Sequence, residues 1–376
     1  MRIAFHTPLN LFDDGGVSGD RRMARQLVAA LRSLGHEVDP VVAPRGYLPS
    51  SDAACLAERE DRAAQLRDDL LRHWRSGASP APDLWFTYHN YYRAPDLLGP
   101  ALAAACDIPY VTAEASDAPR RAQGEWAPHT ERVRRGLAAG DVHFHFTERD
   151  RRGLEPWREP GTALLPLPPF IAFATEPPAR AAANTPPRLV TIAMMREGTK
   201  QNSYLALARI LALIQDEDWR LSIIGDGRQR AAIEQAFATL PAGRVTFLGL
   251  LDRDGAMQEL AAHDIFVWPG IREAYGLVYL EAQAVGLPIV AFDSGGVADT
   301  VDAGRTALLV EEGNEAAFAA RLSALLADPA RRRRLGDAAR RFALTERSPQ
   351  KAAERLAEGL ALALENHRAK RKEAER

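Results

Sequence analysis

The chain has 376 residues, 46% of them apolar, and a formal net charge of −2, so it is long enough for two domains with separate cores. A charge this close to zero gives no basic field for nucleic acid, and no run approaches the roughly 18 apolar residues of a membrane span. The amino terminus lacks a signal-peptide core, and Cys55 and Cys106 lack metal-ligand spacing, which together predict a reduced, cytoplasmic location.

The first part of the chain alternates short apolar strands with amphipathic helices. A strand, a glycine-containing loop, a helix and a second strand follow one another from the start, which is a βαβ unit and predicts a parallel sheet. Gly35 is a typical residue just beyond a helix end. The predicted strands are 2–7, 37–42, 83–88, 109–113 and 142–146, and the predicted helices are 21–34, 52–76 and 96–106.

Residues 155–188 are dense in proline, which is disfavoured inside helices and central strands, so this stretch is interpreted as an interdomain linker. After it the same alternation starts again. The predicted strands are 188–193, 220–224, 244–248, 265–268, 288–292 and 307–310, and the predicted helices are 203–214, 228–240, 257–262 and a long helical tail.

These patterns predict an α/β protein of two Rossmann-like domains. The division is a first domain at 1–172, a proline-rich linker at 173–187, a second domain at 188–350 and a tail at 351–376, for which a return to the first domain is one option. Ligands of open α/β sheets bind beyond the carboxyl ends of the strands, so a ligand held between two facing sheets is predicted.

The most informative stretch holds two glutamates, Glu273 and Glu281, on either side of Gly276. Gly276 suits a tight turn, and the amides of Gly276, Leu277 and Val278 would be the unpaired donors of a helix N-terminus, which attracts phosphate. The two carboxylates would then hold hydroxyl groups on opposite sides of the phosphates. The alternative is a pair of surface glutamates flanking an ordinary βα unit.

Two cations, Arg196 and Lys200, follow the first strand of the second domain. Fixed positive charge at a strand end suits a diphosphate leaving group and requires no metal ion. A solvated loop is the alternative interpretation.

Two glycine-containing loops also follow strands. Asp14 to Gly19 includes Gly15 and Gly16 but does not have the G-x-G-x-x-G pattern, so a dinucleotide site is not indicated. In the tripeptide Gly225-Asp226-Gly227 the glycines permit close backbone approach, and Asp226 is a candidate cap for the next helix.

Two residues of the first domain are candidates for the acceptor side of a reaction. His89 stands just past a predicted strand, and Glu114 follows the strand 109–113, so both would lie at the carboxyl edge of the sheet. A carboxylate there could bind a hydroxylated acceptor or serve as a base, whereas a structural histidine is the simpler reading of His89.

A basic cluster lies on a C-terminal helix, at residues 331–334, 340 and 341. Such a cluster favours either weak contact with an anionic membrane surface or an ordinary solvated helix face.

Several of these loops, in the same order along the chain, resemble those of the retaining nucleotide-sugar glycosyltransferases of the GT-B fold, family GT4. The matching pieces in the second domain are Arg196 with Lys200, Gly225-Asp226-Gly227, Phe247-Leu248-Gly249, Glu273 with Glu281, and Ser294-Gly295-Gly296. In the first domain, Gly15-Gly16 and the helix end at Gly35-His36-Glu37 also match.

The resemblance implies a hexosyltransferase-type enzyme (EC 2.4) that uses a nucleoside-diphosphate sugar, without a cofactor or metal, on a glycan, glycolipid or small-metabolite acceptor. It assigns Arg196 and Lys200 to the donor diphosphate, Glu273 to the donor sugar and Glu281 to the ribose. The remaining donor contacts that it implies are Gly16, Gly225, Gly227, the backbone around Leu248, Gly276, Leu277 and Val278.

The chain departs from the family pattern in places. Glu114 stands where many members have a histidine, and Arg196 and Lys200 are four residues apart, where five is commoner. Two other functions fit the same residues: a nucleotide-sugar epimerase on the same scaffold, and a two-domain sugar-binding protein without catalysis.

Overall fold

The computed structural model describes residues 1–12, 18–181 and 183–376, which divide into two compact units. The first unit is Met1–Pro168 together with Pro349–Arg376, and the second is Pro169–Ser348. The unit boundary therefore lies at Pro168 and not at residue 172. The stretch 173–187, predicted as a linker, is counted within the second unit, where the backbone N–H of Arg180 donates to the carbonyl of Val285 at 2.8 Å.

The first unit is a parallel sheet with its helices. Along the chain it contains β1 (Arg2–His6), α1 (Gly19–Ser33), β2 (Glu37–Pro40), α2 (Ala53–Arg75), β3 (Leu84–Asn90), α3 (Gly99–Cys106), β4 (Tyr110–Ala115), α4 (Ala127–Ala139), β5 (Val142–His145), α5 (Glu148–Leu154) and β6 (Ala163–Pro166). In the described residues the strand order is β2-β1-β3-β4-β5-β6, and every pairing is parallel.

Helix α1 shows how the sequence builds this unit. The side chain of Ser18 accepts a hydrogen bond from the backbone N–H of Arg21 at 3.2 Å, which caps the first turn. Met23, Leu27 and Leu31 repeat at helical spacing and are fully buried, so one apolar stripe of α1 packs against the rest of the unit.

The second unit repeats the design. It contains β7 (Arg188–Ile192), α6 (Thr199–Ala212), β8 (Arg220–Ile224), α7 (Arg230–Phe237), β9 (Val245–Gly249), α8 (Arg253–Ala261), β10 (Ile265–Val267), α9 (Leu277–Ala284), β11 (Ile289–Asp293), α10 (Val297–Thr300), β12 (Ala307–Glu311), α11 (Glu315–Ala327) and α12 (Pro329–Arg341). Its described strands are again all parallel, in the order β12-β11-β10-β7-β8-β9.

The strand order reverses once in each sheet. In the first unit β1 is followed by β2 on one side and by β3 on the other, and in the second unit β7 leads to β8 and β9 before β10 returns to the other side of β7. Loops that leave such a switch point diverge, which opens a crevice at the carboxyl edge of the sheet. The sequence-predicted α/β fold with two parallel sheets is confirmed.

Several boundaries differ from the prediction. β3 extends to Asn90 and β4 to Ala115, because polar residues continue the ladder beyond the apolar runs and Asn90 pairs with Ala115. β6 lies inside the stretch 155–188 that had been interpreted as linker. An edge strand tolerates Pro166 at its end, since no strand on its outer side needs the missing N–H.

The last helix, α13 (Pro349–Ala374), belongs to the first unit. Its Gly359 lies against the ring of Phe144, where any Cβ atom would overlap that ring. Near its end, Lys370 donates to the carbonyl of Gly140 at 2.7 Å and pairs with Asp141 at 3.1 Å. No helix in the described part of the chain combines the length and apolar character that crossing a bilayer requires.

Candidate functional site

The loops that leave the switch point of the second sheet bring together two residues that are far apart in sequence. Lys200 is the second residue of α6, after β7, and Glu273 lies in the loop between β10 and α9. The Lys200 ammonium and the Glu273 carboxylate form an ion pair. Side-chain exposure is 30% for Lys200 and 14% for Glu273, so the pair is partly shielded from solvent.

An aromatic side chain, Trp268, lies against this pair. It is the first residue after β10 and is fully buried. Its indole N–H donates to Oε2 of Glu273 at 3.5 Å, and the Lys200 ammonium nitrogen lies 5.7 Å from the indole ring centroid. The pattern of apolar residues gave no reason to separate Trp268 from the core, and sequence reasoning missed it.

The other predicted cation, Arg196, lies in the loop after β7. Its side chain is exposed, and its guanidinium forms no ion pair with any residue that the structure describes. The sequence analysis treated Arg196 and Lys200 as an equivalent pair. The structure distinguishes them, because Lys200 is already bound to a carboxylate whereas Arg196 faces solvent.

The N-terminus of α9 has the predicted form. Gly276 precedes the helix with a φ of +75°, which lies in the left-handed region that favours glycine. A Cβ atom there would also lie 2.8 Å from the Tyr279 ring, so a side chain is excluded by space as well as by conformation. The amides of the first turn, from Leu277 and Val278, have no acceptor within the helix. Glu281 follows on α9 and is half-buried.

The turn that carries Glu273 is braced by the loop after β11. Arg272 has a φ of +52°, and its backbone N–H donates to the Ser294 hydroxyl at 2.7 Å, which in turn donates to Glu312. A Cβ atom at Gly295 would overlap the carbonyl oxygen of Glu273. The motif Ser294-Gly295-Gly296 indicated this glycine in the sequence. The hydrogen bond from Arg272 to Ser294, which braces the turn, is identified only by the structure.

The glycines of the Gly225-Asp226-Gly227 loop have a structural reason for being there. Cβ atoms at these two positions would overlap the carbonyl oxygens of Ala193 and Met195, in the loop after β7. Asp226 accepts from the N–H of Gly227 at 2.7 Å and pairs with Arg230 at 3.2 Å, so it is held locally. The loop therefore fixes the backbone that carries Arg196.

The structure describes one of the two further donor residues that were named from the sequence. Leu248 lies in β9, and its half-buried side chain packs on the core of the second unit. Gly16, with the loop that contains it, lies outside the described residues.

The first unit has its own polar group at the carboxyl edge. His89 and Glu114 lie within β3 and β4, not beyond them as predicted, and their φ angles are +70° and +54°. Non-glycine residues in this region are strained, and such strain is concentrated at functional sites. Nδ1 of His89 is 3.7 Å from Glu114, and Nε2 is 3.9 Å from Asp20.

Burial determines the charge state of His89. Loss of solvation lowers its pKa to about 4, although the nearby Asp20 carboxylate acts in the opposite direction. The imidazole is therefore neutral at pH 7, with one N–H donor and one acceptor nitrogen. Such a group can accept a hydrogen bond from a hydroxyl without adding positive charge.

Within residues 1–12, 18–181 and 183–376, no three or more His, Cys, Asp or Glu side chains are placed to hold a metal ion together. The second unit provides charged and polar groups along one edge of its sheet. They are the guanidinium of Arg196, the ammonium of Lys200, the N-terminus of α9 and the carboxylates of Glu273 and Glu281.

Comparison with known proteins finds a family model that matches part of the second unit. The family described as Glycosyl transferases group 1 matches residues 186–328. The chain is 38% identical over 124 residues to a sulfoquinovosyl transferase of Arabidopsis thaliana, a match that covers 32% of this chain and 24% of the relative. It is also 38% identical over 146 residues to a GDP-mannose-dependent mannosyltransferase acting on a monoacylated phosphatidylinositol mannoside in Corynebacterium glutamicum, covering 37% and 38%.

These matches span between about a quarter and two fifths of the length of the curated relatives. Solved structures extend the likeness of fold to almost the whole chain. A sucrose-phosphate synthase from Thermosynechococcus elongatus superposes with a TM-score of 0.71 at 18% identity, covering 95% of this chain and 97% of that one. Residues 186–328 thus match the model of the group 1 glycosyl transferases, and the fold of the chain is that of the GT-B enzymes.

Proposed function

We propose that this chain is a retaining glycosyltransferase that moves a sugar from a nucleoside-diphosphate sugar to a hydroxyl acceptor. The observation that carries the proposal is the ion pair of Lys200 and Glu273 at the switch point of the second sheet. Arg196 lies in the loop after β7, and the N-terminus of α9 follows the loop of Glu273. Nucleotides bind at such points in open α/β sheets, and helix N-termini favour phosphate.

The departing diphosphate is assigned to Arg196, Lys200 and the amides of Gly276, Leu277 and Val278. Negative charge accumulates on this group as the bond to the sugar breaks, so donors fixed in advance around it lower the barrier most. Lys200 can serve only by sharing its ammonium between Glu273 and the phosphate, which its three N–H donors permit. Arg196 requires no such exchange because it is unpaired among the described residues.

The remaining donor contacts are assigned from the motifs that resemble those of the GT4 family. Glu281 would accept hydrogen bonds from the ribose, Glu273 would contact the donor sugar, and the backbone around Leu248 would contact the base. Gly225 and Gly227 would act indirectly, since they hold the loop of Arg196 in place.

Retention of the anomeric configuration is proposed from the resemblance to the GT4 family. The acceptor oxygen would attack the anomeric carbon from the face that the diphosphate leaves. The bond from that carbon to the phosphate oxygen breaks, the bond to the acceptor oxygen forms, and the acceptor proton passes to the departing phosphate. Every atom is accounted for without a metal ion or a cofactor.

The acceptor, which is a glycan, a glycolipid or a small metabolite, is assigned to the first unit. His89 is the principal candidate because its neutral, buried imidazole has a ring nitrogen without a hydrogen-bond partner among the described residues. Glu114 lies 3.7 Å from the other ring nitrogen and can orient the ring.

Transfer is favoured over the two alternatives. The two curated relatives, from Arabidopsis thaliana and Corynebacterium glutamicum, are both transferases by name, which does not favour an epimerase. Epimerisation would convert the donor without an acceptor, and a sugar-binding protein would bind free sugar independently of nucleotide. Incubation of the protein with donor, with and without acceptors, separates the three outcomes by product.

A thermal-shift screen with UDP, GDP and ADP sugars, followed by release of nucleoside diphosphate in excess EDTA, tests the proposal. One donor class should raise the melting temperature, because a ligand of the native state stabilises it by mass action. Glu281→Ala should weaken binding of that donor about tenfold or more, as expected when hydrogen bonds to a charged group are lost. Glu234→Ala, which removes a half-buried glutamate on α7, is the control.

If no nucleotide sugar stabilises the protein, or if Glu281→Ala binds the donor as the unaltered protein does, the assignment of the donor site is wrong. Turnover that stops in EDTA and returns with a divalent cation would contradict the metal-independent mechanism.

Contact with the inner face of a membrane would depend on the arginines of α12. Arg332 and Arg340 do not contribute, since Arg332 donates to the carbonyl of Leu325 at 2.8 Å and Arg340 to that of Ala284 at 2.6 Å. The outward arginines, at residues 331, 333, 334 and 341, could attract anionic lipid. Co-sedimentation with phosphatidylserine vesicles should be weak and should disappear at high salt; binding that resists salt would contradict an electrostatic contact.

A further inference from the structure

Trp268 occupies an unusual position for a core residue. It is fully buried, and its backbone N–H continues the ladder by donating to the carbonyl of Val290 at 3.1 Å. Its indole packs edge to face on Tyr204, with ring centroids 4.8 Å apart. The Tyr204 ring therefore packs against the indole, while the indole N–H reaches the ion pair of Lys200 and Glu273.

The indole contacts both members of that pair. Its N–H donates to Oε2 of Glu273, and its ring lies under the Lys200 ammonium at a distance compatible with a cation–π contact. Among the described residues, Lys200 and Trp268 are the two polar partners of the Glu273 carboxylate. Tyr279 packs alongside, and burial followed by the Glu273 charge raises the pKa of its phenol well above the usual value.

The contacts of the Glu273 carboxylate with Lys200 and with Trp268 change differently when the donor binds. Lys200 is the group that we assign to the diphosphate, so part of its attraction to Glu273 is redirected as the phosphates bind. A carboxylate that is largely shielded from water loses orientation and stabilisation when its cation turns away. The indole N–H cannot be redirected in this way, because Trp268 is packed on all sides and carries a single donor.

We infer that Trp268 is a positioning residue, which holds the Glu273 carboxylate against the donor sugar once Lys200 engages the diphosphate. This inference rests on the proposed function and adds to it a residue whose role is exerted through Glu273. The indole ring also makes a second, weaker contribution. Its cation–π contact holds the Lys200 ammonium at the switch point when no donor is bound.

The test is the substitution Trp268→Phe, which keeps an aromatic ring in the core and removes the N–H. We expect kcat for sugar transfer to fall about tenfold, the order expected for loss of a hydrogen bond to a charged group. Affinity for the nucleoside diphosphate, which lacks the sugar, should stay within about twofold.

The matched control is Trp219→Phe. Trp219 is also fully buried in the second unit, and its indole N–H donates to the carbonyl of Ile214 at 2.9 Å, away from the ion pair. Both substitutions remove one buried indole hydrogen bond, so both are expected to lower stability similarly. Only Trp268→Phe should lower kcat.

A double-mutant cycle with Glu273→Gln separates positioning from packing. If Trp268 acts through the charged carboxylate, Trp268→Phe should have little further effect on kcat in the Glu273→Gln background. Full additivity, or a kcat for Trp268→Phe equal to that of the unaltered protein, would show that Trp268 is an ordinary core residue. Absence of transfer by the unaltered protein with every donor tested would overturn the proposed function, and the inference with it.

Discussion

Lys200→Ala should lower kcat by about a hundredfold or more, and Arg196→Ala should have an effect of the same direction. Both side chains are assigned to charge that develops on the diphosphate as it leaves, and removing one fixed donor to such charge costs that order of rate. Nucleoside diphosphate affinity should fall less than kcat, because the stabilisation is greatest in the transition state. Steady-state kinetics with a saturating acceptor, together with calorimetric titration of the diphosphate, measure both quantities.

The control lies on the same helix. Arg209, on α6, forms an exposed ion pair with Glu315, and such pairs contribute little. Arg209→Ala should therefore leave kcat unchanged. If Lys200→Ala and Arg196→Ala both turn over like Arg209→Ala, the diphosphate is held elsewhere and the donor site has been placed wrongly.

Lys200→Ala also has an expected effect on stability. It leaves the Glu273 carboxylate, only 14% exposed, without its cation, whereas Lys200→Ala with Glu273→Ala removes both charges. The double variant should therefore be more stable to urea than the single Lys200 variant, because an uncompensated buried charge costs more than the absent pair. This comparison reports on the ion pair independently of any substrate.

The α/β alternation and the two parallel sheets were accessible from the sequence, because apolar runs bounded by glycine and proline mark buried strands directly. Errors concentrated where a strand continues beyond its apolar run, as at His89 and Glu114, because Asn90 pairs with Ala115 and so extends both strands past these polar residues. β6 was missed because a proline-rich stretch and an edge strand have similar local composition.

The candidate site was accessible in part. Placing Lys200 and Glu273 at strand ends required only the local pattern, but their ion pair depends on β7 and β10 being neighbours in the sheet. The spacing along the chain does not reveal that order. Trp268 and the Ser294 brace were missed for the same reason, since each acts through a contact between different strand ends.

The pH dependence of stability in the first unit should be dominated by buried histidines. Burial lowers the pKa of His89 and of His143 to about 4 each, against a value near 6.5 in the unfolded chain. Nε2 of His143 donates to the carbonyl of Leu137 at 2.9 Å and Nδ1 accepts from the Thr112 hydroxyl at 2.7 Å, so the folded state holds the neutral ring.

The sign of the effect follows from these pKa values. Between pH 6.5 and about 4 the unfolded state binds protons that the folded state does not, so stability is fully present above pH 6.5 and is lost as the pH falls toward 4. A depression of roughly 2.5 units corresponds to about 3 kcal/mol per histidine. Urea unfolding at pH 7.5, 5.5 and 4.5 should therefore show a steep fall in the free energy of unfolding.

Comparison of variants isolates the histidine contribution from that of carboxylates, which also titrate at the acid end of this range. His143→Gln can keep hydrogen bonds to Leu137 and Thr112 but cannot take up a proton, so its free energy of unfolding should fall less between pH 6.5 and 4.5 than that of the unaltered protein. Parallel pH profiles for His143→Gln and the unaltered protein would mean that the buried imidazole is not excluded from protonation, and the neutral state assigned to His89 on the same physical grounds would then lose its support.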